Sequence, residues 1–303
     1  MSTPFPIPRI VGDYVTIYRP AGDVFPGPDT KELQAGVWYE DWVPNDHVVL
    51  PGPDGAWHAF GIAHPITGLG DVHEGEHQSF HARSPQGNLR DVLQDAFWED
   101  LPKILPPAER PGEILANHAP FIVEHDGLYH MFYGPSPIRR ATSTDFMTWT
   151  PVGPAFFEPG GARDPNLLLW DGVYHLLFCC EDEVRLRTST DLLAWSNSRK
   201  LLQMPDGIAP ESPALIRHAG AFYLFVCGWD GVWDKQDVSG AYQHVTYVYG
   251  AEAPDGFCRE DEITQLQAHA PEVFQDEAGD WFISSAEYPA RGISIAPLAW
   301  DTA

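Results

Sequence analysis

Asp46, His118, Asp164, Glu211 and His269 recur at a near-constant distance before a turn glycine. The glycines are Gly55, Gly127, Gly172, Gly220 and Gly279, and the gaps are 9, 9, 8, 9 and 10 residues. Three of the five residues are carboxylic acids. Carboxylates gathered in a partly desolvated pocket split their pKa values, because like charges disfavour joint ionisation while a nearby Arg or His⁺ favours it. The split leaves one protonated acid beside one ionised carboxylate, which is the pair that glycosidic cleavage requires. One carboxyl protonates the leaving oxygen, and the other activates water or attacks the sugar. A third orients the sugar and sustains the acid's proton. Arg163, next to Asp164, is the expected partner for hydroxyls and carboxylates. Trp38, Trp42 and Trp229 are candidates to stack on a sugar's apolar face, with core packing as the competing fate of each.

The elements that must position these residues repeat with them. After each glycine comes an aromatic-rich strand, such as Leu128-Tyr129-His130-Met131-Phe132 or Ala221-Phe222-Tyr223-Leu224-Phe225. Before it runs an apolar strand, such as Phe121-Ile122-Val123 or Leu167-Leu168-Leu169-Trp170. The turn glycines lie 72, 45, 48 and 59 residues apart, and a period of roughly 40–50 residues is that of a four-stranded propeller blade. A second marker keeps step: Thr142-Ser143-Thr144-Asp145 recurs as Thr188-Ser189-Thr190-Asp191, 46 residues later. It reads as the end of a third strand followed by a turn, where short polar side chains bond local backbone. The expectation is an all-β, five-bladed β-propeller of four-stranded antiparallel blades, one unit over residues 1–303. An inserted loop region is expected at about 66–112, and extra chain between Trp229 and Val245. Asp13–Tyr18 alternates like a strand and is placed to close the ring against the last blade. If the register holds, the five recurring residues share one place at one mouth of the channel.

Composition narrows the partners. Abundant aromatics (11 Trp, 11 Tyr, 16 Phe) and turn formers (27 Gly, 29 Pro) favour short strands joined by tight turns. Lys plus Arg number 18 against 43 Asp plus Glu, a formal net charge of −25, so nucleic acid and anionic membrane are excluded as expected partners and a small neutral carbohydrate fits better. No signal peptide or membrane-length apolar run is visible, so a cytoplasmic location is expected. Cys179, Cys180, Cys227 and Cys258 lack zinc-ligand spacing and read as free thiols. Oligomeric state is not written in the sequence.

Three runs, Trp42-Val43-Pro44-Asn45-Asp46, Arg163-Asp164-Pro165 and Pro210-Glu211-Ser212-Pro213, resemble the catalytic segments of the five-bladed propeller glycosidases. These are glycoside hydrolase families 43 and 62 and the related families 32 and 68. The blade phrases from Asn117 to Tyr133 and from His269 to Val273 are similar to the same group, so the resemblance spans nearly the whole chain. It implies that Asp46 is the general base of a family-43 enzyme or the nucleophile of a family-32 one. It implies Asp164 as the carboxylate that orients substrate and tunes the acid, and Glu211 as the general acid. Substrate contacts are implied for Trp42, Asn45, His118, Arg163, Trp229, His269 and Arg291. No cofactor is required, but the resemblance allows a structural calcium ion in the channel, with His269 beside it as a possible metal ligand. An inverting, family-43-like mechanism is slightly favoured. Arabinofuranosides, xylosides and fructofuranosides are all substrates in this group.

The chain departs from the pattern in two places. His47 follows Asn45-Asp46, and Ser212 follows Glu211 where family 32 commonly has Cys and family 43 a small residue. The rival readings are a sugar-binding propeller without catalysis and a metal-dependent hydrolase or lactonase using His118, His269, Asp46 and Glu211. A phosphorylase would need a cationic cluster, for which Arg139-Arg140 is the candidate. His73, His77 and His81 fall within 66–112, which reads as a surface loop with a lid over the pocket as the alternative.

Overall fold

The computed structural model describes residues 5–66, 75–94, 97–113, 116–229 and 245–301. Five antiparallel sheets carry almost all of its regular structure, forming the expected five-bladed β-propeller. Blade 1 holds Trp42–Pro51, Ala56–Pro65, Ser79–Gln86 and Glu99–Ile104. Blade 2 holds His118–His125, Leu128–Gly134, Ile138–Ser143 and Thr150–Phe156. Blade 3 holds Arg163–Trp170, Val173–Cys180, Glu183–Ser189 and Arg199–Gln203. Blade 4 holds Ala209–His218, Ala221–Trp229, Val245–Ala251 and Glu262–Gln267. Blade 5 holds Val273–Gln275, Trp281–Ala286 and Ile293–Asp301, and takes its outer strand, Ile7–Ile10, from the other end of the chain. Val15–Tyr18 pairs with the same outer edge, Val15 lying opposite Ile295, so the expected ring closure is made by two early strands.

Local chemistry explains the hairpins. Asp126-Gly127, Asp171-Gly172 and Ala219-Gly220 each have positive φ at both positions, the turn geometry whose twist matches that of the strands it joins. The Thr-Ser-Thr-Asp marker builds the same turn twice. Ser143 Oγ accepts from the amides of Asp145 and Phe146, and Asp145 Oδ1 accepts from those of Met147 and Thr148. Ser189 and Asp191 repeat all four bonds with Asp191, Leu192, Leu193 and Ala194. In both cases the turn leaves the third strand of a blade, as its sequence predicts.

The core lies in the seams between blades. Phe60, Met131, Phe146 and Trp149 pack blade 1 on blade 2, and Phe132, Leu176 and Phe178 pack blade 2 on blade 3. Leu186, Leu215 and Leu224 fill the next seam, and Tyr223, Phe225 and Ile283 the fourth. Tyr18, Trp57, Phe80, Phe282 and Ile293 fill the seam that closes the ring. Each such side chain contributes about 1.5–3 kcal/mol by leaving water, so every blade is held by both neighbours.

The stretch 66–112 is corrected by the structure. It contains the third and fourth strands of blade 1 and is not one inserted loop. Ser79-Phe80-His81-Ala82 is buried on both faces, so the alternation that marks a half-exposed strand is missing from its sequence. His81 belongs to this strand, bonded to His58 at 2.7 Å. His77 is buried with its ring against Phe25, and His73 lies outside the described residues. The segment between Trp229 and Val245 also lies outside them.

Candidate active site

In each of blades 1 to 4 the inner strand is interrupted by a bulge at the same mouth of the channel. In blade 1, Pro44 pairs with Ala63 and His47 with Gly61, so Asn45 and Asp46 together face one residue. The same two-against-one count holds for Ala119-Pro120, Asp164-Pro165 and Ser212-Pro213. In blade 5, His269 and Glu272 accept from the amides of Ala286 and Ser284, and they bracket Ala270-Pro271 in the same way. Ala119, Asp164, Ser212 and Ala270 take positive φ of 39°, 56°, 43° and 46°. For residues other than glycine that conformation costs on the order of 1–3 kcal/mol and clusters at functional sites.

This register corrects the expectation of one shared place. His118, Glu211 and His269 each stand just before a bulge, and the residue of blade 3 in that place is Arg163. Asp164 is the first bulge residue and Asp46 the second. The gap to the glycine is kept near constant in blade 1 because the turn joining its first two strands has four residues, 52–55, where blades 2 to 4 use two. The three acids therefore come from three different bulge positions as well as three blades, and are not level by backbone position.

Ser212 links Asp46 and Asp164, with Glu211 near enough to act on Asp46. The Ser212 hydroxyl donates a short hydrogen bond to Asp46 Oδ1, and its amide donates to Asp164 Oδ2 at 3.2 Å. Arg163 Nε lies 3.5 Å from the same Asp164 oxygen, while its Nη2 donates to Pro210 O at 2.7 Å. Burial acts against the guanidinium charge, but Asp164, Cys179, Glu211 and Asp46 together hold the Arg163 pKa above its ordinary value. Asp46 is pushed well above the usual carboxylate range, first by burial and then by Asp164 and Glu211, while the Ser212 hydrogen bond opposes the rise.

A small cavity of about 10 Å³ is lined by Asp46, His47, Ala119, Asp164, Ser212 and Glu272 among others, which is room for about one water. Glu272 receives Asn166 Nδ2 at 3.4 Å, and burial raises its pKa to about 8. His47 bonds Ser284 Oγ at 2.7 Å, and burial lowers its pKa to about 4. Neither was expected at the site from sequence, where His47 stood out only as a departure from the family pattern. Glu76 was also missed: it is buried, lies 3.0 Å from His118 Nε2 and 3.6 Å from His64 Nδ1, and adds to the field on Asp46.

The remaining expected contacts divide. Asn45 is half-buried beside Asp46, its side-chain oxygen lacking a hydrogen-bond partner. Trp229 ends its strand opposite Ala209, with its indole N–H unpartnered. Arg291 Nη1 lies 3.8 Å from Asp41 Oδ1, beside the start of blade 1. Trp42 is corrected: it is 2% exposed, sits in the core and donates to Tyr39 O at 2.9 Å, so its ring offers no face to a sugar. Trp38, in a short hairpin with Asp23–Val24, is 57% exposed. Arg139 and Arg140 spend donors on the carbonyls of Pro135, Pro137 and Leu192, so they do not form a phosphate cradle.

All four cysteines are free thiols, three of them buried. Cys227 joins Glu211 and His269 in a group whose donor atoms lie within 4.8 Å of one another. A thiol and an imidazole beside one carboxylate are not a calcium set, since calcium takes six to eight oxygens. The residues around His269 therefore do not fit the calcium ion expected near it.

No protein-family model matches the chain, and no curated protein matches it. Solved structures do. The fold is similar to an exo-1,5-alpha-L-arabinanase from a bovine ruminal metagenomic library, at 18% identity and TM-score 0.60, covering 85% of this chain and 93% of that one. It is similar to a GH43_1 enzyme from Xanthomonas citri, at 17% identity and TM-score 0.60, covering 85% and 88%. It is also similar to a GH32 beta-fructofuranosidase from Bombyx mori, at 18% identity and TM-score 0.62, covering 85% of this chain and 60% of that one. The likeness is one of fold, and that fold is the one the sequence resemblance implies.

Proposed function

We propose that the protein is a glycosidase acting on short, neutral, furanose-containing carbohydrate, with Glu211 as general acid, Asp46 as base and Asp164 as the orienting carboxylate. The observation that carries this reading is the approach of acids from three blades: Ser212 bonds both Asp46 and Asp164, and Glu211 is near enough to raise the Asp46 pKa. Crowded carboxylates cannot all ionise cheaply, so the centre retains a proton for the leaving oxygen while one carboxylate faces water. Arg163 fixes Asp164 and neutralises part of the charge. Trp229, Asn45 and Arg291, on the same mouth, are the groups nearest to hand for sugar contacts. The similar folds include an exo-arabinanase, a fructofuranosidase and a Xanthomonas citri enzyme complexed with xylose, which supports a pentose- or furanose-sized ligand. An inverting course is preferred, with Asp46 activating water.

Aryl arabinofuranoside, xyloside and galactofuranoside, with sucrose, form the test panel, and NMR of the first-formed anomer reads the stereochemistry. Release of sugar that Glu211→Gln abolishes supports the assignment. Sugar binding without turnover in the unaltered protein would instead favour a non-catalytic propeller. Turnover lost to EDTA and restored by one metal ion would favour a metal-dependent hydrolase.

A further inference from the structure

Ser212 occupies a position that the proposed chemistry leaves unused. It is the first bulge residue of blade 4, directly after Glu211, in a left-handed conformation with φ 43°. That conformation lets one residue send two donors to two other blades. The hydroxyl reaches Asp46 of blade 1 and the amide reaches Asp164 of blade 3. The equivalent residues of blades 2 and 5 are Ala119 and Ala270, which have no hydroxyl to offer. Asp46 faces acids on every side: Asp164 from blade 3, Glu211 from blade 4 and Glu76 from the segment before Ser79. Glu272 of blade 5 lines the same cavity, as does His47, and Arg163 is the cation of the group. Amid these carboxylates, the Ser212 hydroxyl donates to the Asp46 side chain.

We propose that Ser212 is a positioning residue whose hydroxyl directs the Asp46 carboxylate at the reacting centre, while its amide fixes Asp164. The amide bond survives any substitution other than proline, so the two links separate experimentally. Ser212→Ala removes only the hydroxyl; Ser212→Gly removes the whole side chain and suits the left-handed backbone. A hydroxyl donated to a carboxylate favours the charged form, so its loss moves the Asp46 midpoint upward.

The inference rests on Asp46 acting as the base, but its test does not require turnover. Carboxyl-carbon NMR with labelled aspartate, assigned by Asp46→Asn, follows the Asp46 titration in the unaltered protein and in both variants. An upward shift of about one unit or more is expected in each variant, with the acidic limb of kcat/KM moving by the same amount and KM changing little. Ser212→Cys, a weaker donor, falls between. An unchanged midpoint in a folded variant overturns the role of Ser212 whether or not any sugar is cleaved. Failure of every sugar to react, with the midpoint shifted, removes the glycosidase reading and leaves the hydrogen bond standing.

Discussion

Two sets of aspartates sit in this propeller under opposite conditions. Asp145 and Asp191 cap the turns that leave the third strands of blades 2 and 3, out in solvent, where backbone amides and a serine hydroxyl lower their pKa values. Asp46 lies at the channel mouth, where burial and three neighbouring acids raise its pKa and a serine hydroxyl opposes them. Both environments contain a Ser–Asp hydrogen bond. At the turn it completes a local motif within four residues, whereas at the mouth it spans two blades. The contrast teaches that the acid's neighbours, more than its own hydrogen bond, decide whether it builds the fold or can move a proton.

Removing the mouth acids is expected to have the largest effect. Glu211→Gln and Asp46→Asn each lower kcat by roughly 10²–10⁴-fold, with melting temperature kept or raised, because each relieves charge crowding. Steady-state kinetics beside a thermal scan reads both, and a large loss of stability with intact turnover would erase the distinction between the two regions. Asp164→Asn acts through orientation and is expected to cost on the order of 10²-fold, with KM rising.

The pH profiles sharpen the contrast next. The proposed base must be ionised, and Asp46 is raised by burial and by its neighbours, so the acidic limb of kcat/KM lies above the usual aspartate range. Stability carries two signs. His47 and His81 are lowered by burial, to about 4 and about 3. Their contribution is full above pH 6.5 and is lost as pH falls below it. Glu272 is raised by burial to about 8, so its contribution is present below about pH 4.5 and lost as pH rises through 8. Glu272→Gln should therefore gain on the unaltered protein as pH rises from 5 to 9, measured as the difference in melting temperature. The smallest effect belongs to the turn: Asp145→Ala costs about 0.5–1 kcal/mol of stability and leaves kcat/KM unchanged.

The blades were legible because turn chemistry is local. Asp-Gly between apolar runs, and a serine two residues before an aspartate, specify their geometry without help from the rest of the chain. Asp46, Asp164 and Glu211 were picked out by their near-constant distance from those turns. Their phase was not legible, because a longer turn in blade 1 offsets the shift of Asp46 along its bulge, and only strand register separates the two. The gap of eight before Gly172 was the trace of the one-residue offset of Asp164. Trp42 misled because a large aromatic beside a catalytic-looking aspartate reads alike whether it faces the core or the mouth. Glu76 and Glu272 carried no sequence signal, since what makes them notable is burial supplied by other blades.

The clasp between Ile7–Ile10 and Ile293–Asp301, sealed at its edge by Arg9 and Asp301, 292 residues apart, sets an order of assembly. The earlier strand stays unpaired until the later one is made, and contacts so distant in sequence form slowly. The last wall of the channel, bearing His269 and Glu272, arrives with the same late segment. A chain cut short thus lacks both its closing seam and the wall that encloses the carboxylates, so the pocket's altered acidity reports that the whole ring has been made.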